Sequence, residues 1–143
     1  MSFYFDIYAA LQKPIVDNAY FGFDVDRWSF ENENFKSPDQ SEPWARLTVI
    51  PAQPIPREIG ACLSDEINGI AQIDLFYPAD DGRGDALSKA DEILTVYRRA
   101  AQLVYGDASV RIRTAGLNPA ADNNPWYHVY ITIEWVDYRC YPN

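Results

Sequence analysis

The sequence predicts an α/β protein of the α+β kind, a single domain over residues 1–143 with a four-stranded, mostly antiparallel or mixed sheet packed with two helices. Four segments alternate apolar and polar residues as half-buried strands do. Two others carry apolar residues at helical spacing, and no repeat or linker divides the 143 residues. The predicted order is α-β-β-α-β-β, in which both helices bury their apolar faces on one sheet.

The first predicted helix is Ser2–Lys13, because Phe3, Ile7, Ala10 and Leu11 recur on one helical face and Pro14 ends the pattern. Asp17–Arg27 mixes glycine, asparagine and aspartate with aromatic residues, which predicts a loop or a short irregular strand. Glu31–Pro43 is polar, aperiodic and interrupted by proline, which predicts a loop.

Two strands are predicted next. Trp44–Ile50 places Ala45, Leu47 and Val49 on one face, and Ile67–Tyr77 places Ala71, Ile73, Leu75 and Tyr77 on one face. Between them, the proline-rich segment Pro51–Pro56 predicts an extended connection without regular hydrogen bonds. Pro78 ends the second strand, and Ala79–Gly84 has the composition of a turn.

The second helix is predicted over Asp85–Tyr105, with Gly106 suited to the left-handed position after it. Ser109–Ala115 alternates and predicts the third strand. Gly116–Pro125 is predicted to be a polar loop. Trp126–Val136 is the fourth strand, with its core face formed by Tyr127, Val129, Ile131, Ile133 and Trp135.

The formal charge of −9 disfavours a nucleic-acid-binding surface, because phosphate contacts need clustered lysine and arginine. The same charge disfavours anionic membrane surfaces. No apolar run approaches the ~20 residues of a membrane span, and no basic leader precedes the apolar N-terminus. Cys62 and Cys140 are far apart without CxxC spacing, and reduced thiols are expected rather than a disulfide.

Catalytic and metal sites have weak support in the sequence. His128 is the single histidine, and no spacing pairs it with either cysteine as a nucleophile. Asp80, Asp81 and Asp85 lack the ligand spacing of a calcium loop and suit a turn before a helix. The tripeptide Arg83–Asp85 matches an integrin-binding motif only by chance. No catalytic residue, metal ligand or cofactor is predicted.

Interface residues are better supported, because aromatic and arginine side chains are enriched at the centres of protein interfaces. The candidates are Phe30, Phe35, Trp44, Arg46, Arg111 and Arg113, with Arg98, Arg99, Tyr138 and Tyr141 as weaker ones. Subunit contacts are predicted at the loop Phe30–Pro43 and on the exposed side of the Trp44 strand. Packing inside the monomer is the open alternative for the aromatic residues, and a solvated surface is the alternative for the arginines.

The order of several segments resembles the phage tail terminator-like proteins, a family similar to the minor tail protein U of lambda-like siphophages. The segments are FENENF, PWARLTVIPAQP, NGIAQIDLFYPADDGRG, ALSKADEI and WYHVYITIEW. They cover about Phe30–Trp135. Departures from the family pattern fall in the first thirty residues and in Pro51–Leu63.

The resemblance implies a mixed sheet flanked by helices and assembly as a homo-hexameric ring, without cofactor or catalytic residue. Such a ring caps the head-proximal end of the tail tube, stops its polymerisation and meets the head-completion proteins of the neck. It implies a virion protein assembled in the host cytoplasm. Acidity would let genomic DNA pass the lumen without binding, since like charges repel.

Two alternatives remain at the level of the sequence. One is a neck or head-completion connector protein of similar build. The other is a small-molecule-binding or hydrolytic domain that uses His128, Tyr130 and a nearby carboxylate. The second requires a concave pocket in which polar groups converge.

Overall fold

A mixed, strongly curled seven-stranded sheet with two helices forms the body of the protein in a computed structural model. The structure describes residues 3–36, 41–59, 62–79, 82–123 and 125–141. Its hydrogen-bonded order is β1-β2-β4-β7-β6-β5, and β3 pairs with β4 beyond the end of β2. The bounds are α1 Tyr4–Asp17, β1 Trp28–Ser29, β2 Trp44–Pro51, β3 Ile55–Ile59, β4 Cys62–Pro78, α2 Gly84–Val96, β5 Gln102–Tyr105, β6 Ala108–Asn123 and β7 Trp126–Tyr141.

The α+β class and the mixed sheet are confirmed, but the expectation of four strands is wrong. The four predicted strands correspond to parts of β2, β4, β6 and β7, and the additional strands β1, β3 and β5 lie at the margins of the sheet. β1 was not predicted because its two residues are too few to show an alternating pattern. β1 pairs parallel with β2, and the other pairings are antiparallel.

The core lies between one face of the sheet and both helices. The predicted inward faces of β2 and β4 are confirmed, since their alternating residues are buried. From β7, Val129, Ile131, Ile133 and Trp135 are buried in the same cluster, and Tyr127 packs at its margin. Both helices supply buried residues to this single cluster: Ile7, Ala10, Leu11, Ile15, Ala86, Ala90 and Ile93. The apolar area removed from water there is the main stabilising contribution.

Helix α1 passes through Pro14 and ends at Asp17, so the prediction that Pro14 ends the helix is wrong. A proline inside a helix removes a backbone hydrogen bond and costs about 3 kcal/mol. Here Pro14 and Ile15 are both buried. Burial of this last turn against the core offsets the lost bond, an effect that local sequence does not reveal.

The second helix is shorter than predicted, because α2 ends at Val96 and Gln102–Tyr105 form β5. Tyr97 is fully buried, and its hydroxyl donates a hydrogen bond to the Leu11 carbonyl of α1 at 2.5 Å. Ala100 then has a φ of +69°, a value that a helix cannot accommodate. Gly106, with a φ of +55°, lies in the turn between β5 and β6 instead of capping a helix.

Strands β6 and β7 extend further than the sequence predicted. Gly116–Pro125 was expected to be a loop, but β6 continues to Asn123 and pairs with β7 as far as Trp126. Register shifts follow Ile112 and Asn118, so the alternation is interrupted and the strand is hard to recognise from sequence.

The Pro51–Pro56 connection is also partly ordered, because β3 begins at Ile55 and includes Pro56. β3 pairs only with β4 and has no second neighbour among the described strands, which is where a proline is tolerated. The irregular segment Asp17–Arg27 contains two short 3₁₀ turns, Ala19–Gly22 and Val25–Arg27. Glu31–Lys36 and Ser41–Pro43 form neither helix nor strand, as predicted.

Cys140 is disulfide-bonded, so the expectation of reduced thiols is wrong. The side chain of Cys62 lies outside the described residues. The sequence has no CxxC spacing or other cysteine motif, which is why it did not indicate the bond of Cys140. In the described part of the chain, no helix is long and apolar enough to cross a membrane.

Candidate functional site

A stacked row of aromatic rings lies on the sheet face opposite the helices. Trp44, Phe76 and His128 are direct neighbours across β2, β4 and β7. The ring centroids of Trp44 and Phe76 are 4.0 Å apart, and those of Phe76 and His128 are 4.4 Å apart, with nearly parallel planes. The three side chains are buried, although none belongs to the helix-side core cluster. We call this row the aromatic row.

Phe35 joins the aromatic row from the loop before β2. Its ring centroid is 5.1 Å from that of Trp44, and the Trp126 ring meets Trp44 edge-on at 6.3 Å. The indole N–H of Trp44 is buried without a hydrogen-bond partner in the described part of the protein. Phe35 is therefore a partly buried bridge between the loop and the sheet.

Asp74 is the polar centre beside the aromatic row, and the sequence analysis did not single it out. Its carboxylate is 1% exposed and lies 2.7 Å from His128 Nε2, 3.3 Å from Arg46 Nε and 3.0 Å from Gln72 Nε2. A buried carboxylate needs such partners, because an unpaired charge in the interior is costly. The sequence feature that could have indicated this residue is an aspartate in the middle of the most apolar predicted strand.

Arg46 connects Asp74 to the surface. Its guanidinium lies 5.4 Å from the Phe76 ring centroid, and its side chain is 44% exposed. One edge of the guanidinium therefore neutralises Asp74, while the rest is available to a partner. Of the predicted interface residues, Phe35, Trp44 and Arg46 are brought together here.

Phe30 lies in a different place. Its ring stacks on Trp28 with centroids 6.0 Å apart, and it packs against the helix-side core. Its neighbours at the surface include Tyr8 of α1 and Leu47 of β2. The loop Phe30–Pro43 therefore starts on one face of the sheet, while its Phe35 contacts the other face.

Arg111 and Arg113 form a third location, at the β5–β6 margin. The register shift after Ile112 separates their positions in the ladder, yet both line one cavity of about 300 Å³. Arg99 also lines this cavity, together with Ala100, Ile112, Val136 and Tyr138. Because α2 ends early, Arg98 and Arg99 lie in the turn before β5 and not on a helix.

Glu66 is held between two arginines next to this cavity. Its Oε1 lies 3.1 Å from Arg113 Nη2 and 3.6 Å from Arg57 Nη2, and Asn68 donates to Oε2 at 2.9 Å. Burial alone would raise the pKa of Glu66, but the Asn68 hydrogen bond and the arginine charges outweigh it and lower the pKa. The Tyr138 hydroxyl and Glu66 raise the pKa of Arg113.

The chain matches the family model of phage tail terminator proteins over residues 6–135, which is most of its length. The chain belongs to the phage tail terminator family. A solved structure shares the fold, with a TM-score of 0.72 and 22% identity over 96% of each chain. No curated protein matches the sequence.

Membership in the tail terminator family identifies a structural phage protein, which implies a non-enzymatic role and a location in the virion tail. The Asp74–His128 contact fits that role, because the histidine ring is stacked and its Nε2 is engaged. His128 and Cys140 are twelve residues apart on the same strand, about 40 Å at strand rise, and cannot form a nucleophile pair.

The remaining chemical candidates of the sequence fall elsewhere in this tail terminator protein. Asp80 and Asp81 lie outside the described residues. Arg83 precedes α2, and Gly84 and Asp85 begin it, so the tripeptide forms a helix start. In the described ranges, no group of three or more His, Cys, Asp or Glu residues is placed to hold a metal ion.

Proposed function

We propose that this protein caps the head-proximal end of the phage tail tube, stops its polymerisation and provides the surface to which the head is joined. The observation that carries the proposal is the family match over residues 6–135. We propose a homo-hexameric ring as the active form, with the tail tube protein on one side and a head-completion or neck connector protein on the other.

The shape of the sheet supports a structural role. β4 and β7 pair at sixteen consecutive positions, from Leu63 with Tyr141 to Pro78 with Trp126. Such a continuous ladder gives a stiff body on which exposed side chains keep fixed positions. A cap needs this stiffness, because it must match the repeating end of a tube.

Exposed arginine side chains, one of them beside buried and half-buried aromatic rings, supply candidate contact surfaces for the ring and its partners. Phe35, Trp44 and Arg46 form one such surface next to Asp74. Arg111 and Arg113 form another at the sheet margin. Phe30 supports the start of the same loop from the core side. We propose that neighbouring chains meet at these places.

The net charge of −9 supports passage of DNA through the ring. Carboxylates that face a lumen would repel phosphates and keep the genome from adhering to the wall. Neutralising the lumen-facing acids should therefore slow DNA ejection, and unchanged ejection would contradict this part of the proposal.

Binding to tube ends tests the capping role directly. Tail tubes assembled from the tube protein are divided into two samples of equal mass, and one sample is sheared into short lengths. Binding of the purified chain to the sheared tubes is then compared with its binding to the unsheared tubes. Capping predicts that the amount bound rises in proportion to the number of ends.

The connector protein from the portal side serves as the second bait in the same assay. A terminator is expected to bind tube ends whether or not the connector is present. Binding to the connector alone, with none to the tubes, would contradict capping and assign the chain to the neck.

A further inference from the structure

The two margins of the sheet carry opposite charge. At the β5–β6 margin lie Arg98, Arg99, Arg111 and Arg113, which are all exposed and make up four of the twelve basic residues. We call this the basic margin. At the β1 margin, exposed carboxylates lie within four residues of the two-residue strand β1: Asp24, Asp26, Glu31 and Glu33. We call this the acidic margin.

The strand order places these margins at opposite ends of the sheet. β1 is the first and β5 the last strand of the path β1-β2-β4-β7-β6-β5. No ion pair joins the two margins within the described part of the chain, so their charges are left for a contact between one chain and the next. Contacts between two different surfaces repeat head to tail and produce a closed ring when the rotation between subunits closes.

The charges at both margins are available. Arg98, Arg99 and Arg111 form no ion pair among the described residues, and the same holds for Asp24, Asp26 and Glu33. Two other residues are engaged within the chain, because Arg113 pairs with Glu66 and Glu31 accepts a hydrogen bond from the Val49 amide at 2.6 Å. The unengaged charges are the ones that can be satisfied by a neighbour.

The basic margin also has a receptive shape. Arg99, Arg111 and Arg113 surround a cavity of about 300 Å³, which Ala100, Ile112, Val136 and Tyr138 also line. Guanidinium groups bind carboxylates with two parallel hydrogen bonds, which fixes the orientation of the bound group. Beyond Ile112, the outer edge of β6 has no strand partner in the described ranges.

We propose that the basic margin of one chain binds the acidic margin of a second copy, head to tail, and that this contact builds the ring. The inference rests on the proposed ring-forming function and deepens it by naming the contact. Two copies of the chain, each with a net charge of −9, repel each other on average. Only an orientation that brings the basic margin of one copy to the acidic margin of the other is therefore attractive. This orientation dependence selects one geometry and disfavours random aggregation.

Charge reversal at the unengaged residues tests the contact. The full-length variant R99E/R111E and the full-length variant D26K/E33K are each compared with the wild type by sedimentation velocity at low and high salt. Among the unengaged residues, R99E/R111E leaves one arginine beside two glutamates, and D26K/E33K leaves one aspartate beside two lysines. Each reversal therefore inverts the sign of the unengaged charge at one margin and is expected to weaken self-association about tenfold or more. The wild-type assembly is expected to weaken with added salt, since screening shortens the reach of the charges.

Mixing the two variants gives the decisive result. By unengaged charge, R99E/R111E carries two net acidic margins and D26K/E33K carries two net basic margins, so an equimolar mixture is expected to form rings in which they alternate. The quadruple variant, in which the sign of the unengaged charge is exchanged at both margins, is expected to assemble by itself. The control K13E/R83E has the same net charge as R99E/R111E but leaves both margins intact, and it is expected to assemble like the wild type. Circular dichroism checks that each variant is folded.

If R99E/R111E forms rings to the same extent as the wild type, the inference is overturned. The same conclusion follows if the mixture of folded variants fails to assemble, or if the wild type stays monomeric with and without tube ends. If R99E/R111E forms rings but no longer binds tube or connector protein, the basic margin serves that partner and the self-contact is wrong. These outcomes leave capping intact, because capping is measured separately by binding of the wild type to tube ends.

Discussion

Gly69 is the residue at which the packing of the sheet leaves the least room. A Cβ built there would lie 2.4 Å from the Ile50 carbonyl oxygen, 2.9 Å from the Pro51 Cα and 2.9 Å from Trp135 Cζ2. Two of these neighbours are backbone atoms, which cannot turn aside as a flexible side chain can. The close approach of β2 to β4 therefore requires glycine at this position.

We expect Gly69→Ala to lower the free energy of unfolding by about 1–3 kcal/mol, because the added methyl must push β2 or the Trp135 ring aside. Urea denaturation measures the change. Gly116→Ala is the matched control, since it also lies in a strand but a Cβ there meets nothing within 4 Å. An equal effect of the two substitutions would show that the crowding at Gly69 does not exist.

The burial of Asp74 is a feature that the sequence pattern of a single strand could not predict. The alternation in β4 correctly placed Ile73 and Leu75 on the core face, and Asp74 lies on the opposite face. Alternation is typical of a strand with one buried face, yet Asp74 and Phe76 are almost fully buried on the second face. Burial on the second face depends on neighbours from β2 and β7, which a single-strand pattern cannot show.

At the scale of elements, the start of each helix and much of β2, β4 and β7 were predictable, and the second half of β6 and the margins of the sheet were not. β2, β4 and β7 show clear alternation because one of their faces lies in the core. The sequence predicts helix across β5 because its apolar residues continue the spacing of α2. Only the pairing of β5 with β6, and the left-handed turn at Ala100, separate the two elements.

The contact between the Phe30–Pro43 loop and β2 gives a prediction at this scale. Trp44 is buried between Phe35 and Phe76, so Trp44→Ala should lower the free energy of unfolding by about 3–5 kcal/mol. Phe35 is only partly buried, and we expect Phe35→Ala to cost about 1 kcal/mol. Thermal or urea unfolding of the two variants measures the difference.

The variants Phe35→Ala and Trp44→Ala also distinguish an effect on folding from an effect on assembly. Because Phe35→Ala should remain folded, its self-association and its binding to tube ends report on the loop as an interface. A folded Phe35→Ala variant that assembles and binds like the wild type would remove Phe35 from the contact surfaces. Trp44→Ala cannot serve this purpose if it unfolds, which is why the loop residue is the better probe.

At the scale of the whole molecule, a stiff curled sheet presents opposite charges at its two margins and an aromatic and arginine surface on one face. The family resemblance noticed in the sequence is confirmed by the match over residues 6–135. The interface role of the candidate residues stays a prediction, and their grouping in space was not predictable, because Phe35, Trp44 and Arg46 converge while Phe30 and the arginine pair lie apart. Their separation depends on strand order, which local patterns do not encode.

The central claim is that this protein ends the growth of the tail tube. Electron microscopy of phage particles that lack the protein, with and without a copy supplied from a plasmid, tests it most directly through the distribution of tail lengths. Without a terminator, tails are expected to be longer than normal, variable in length and not joined to heads, and the plasmid copy is expected to restore normal tails. Tails of normal length beside empty heads would contradict the account and place the protein in the neck.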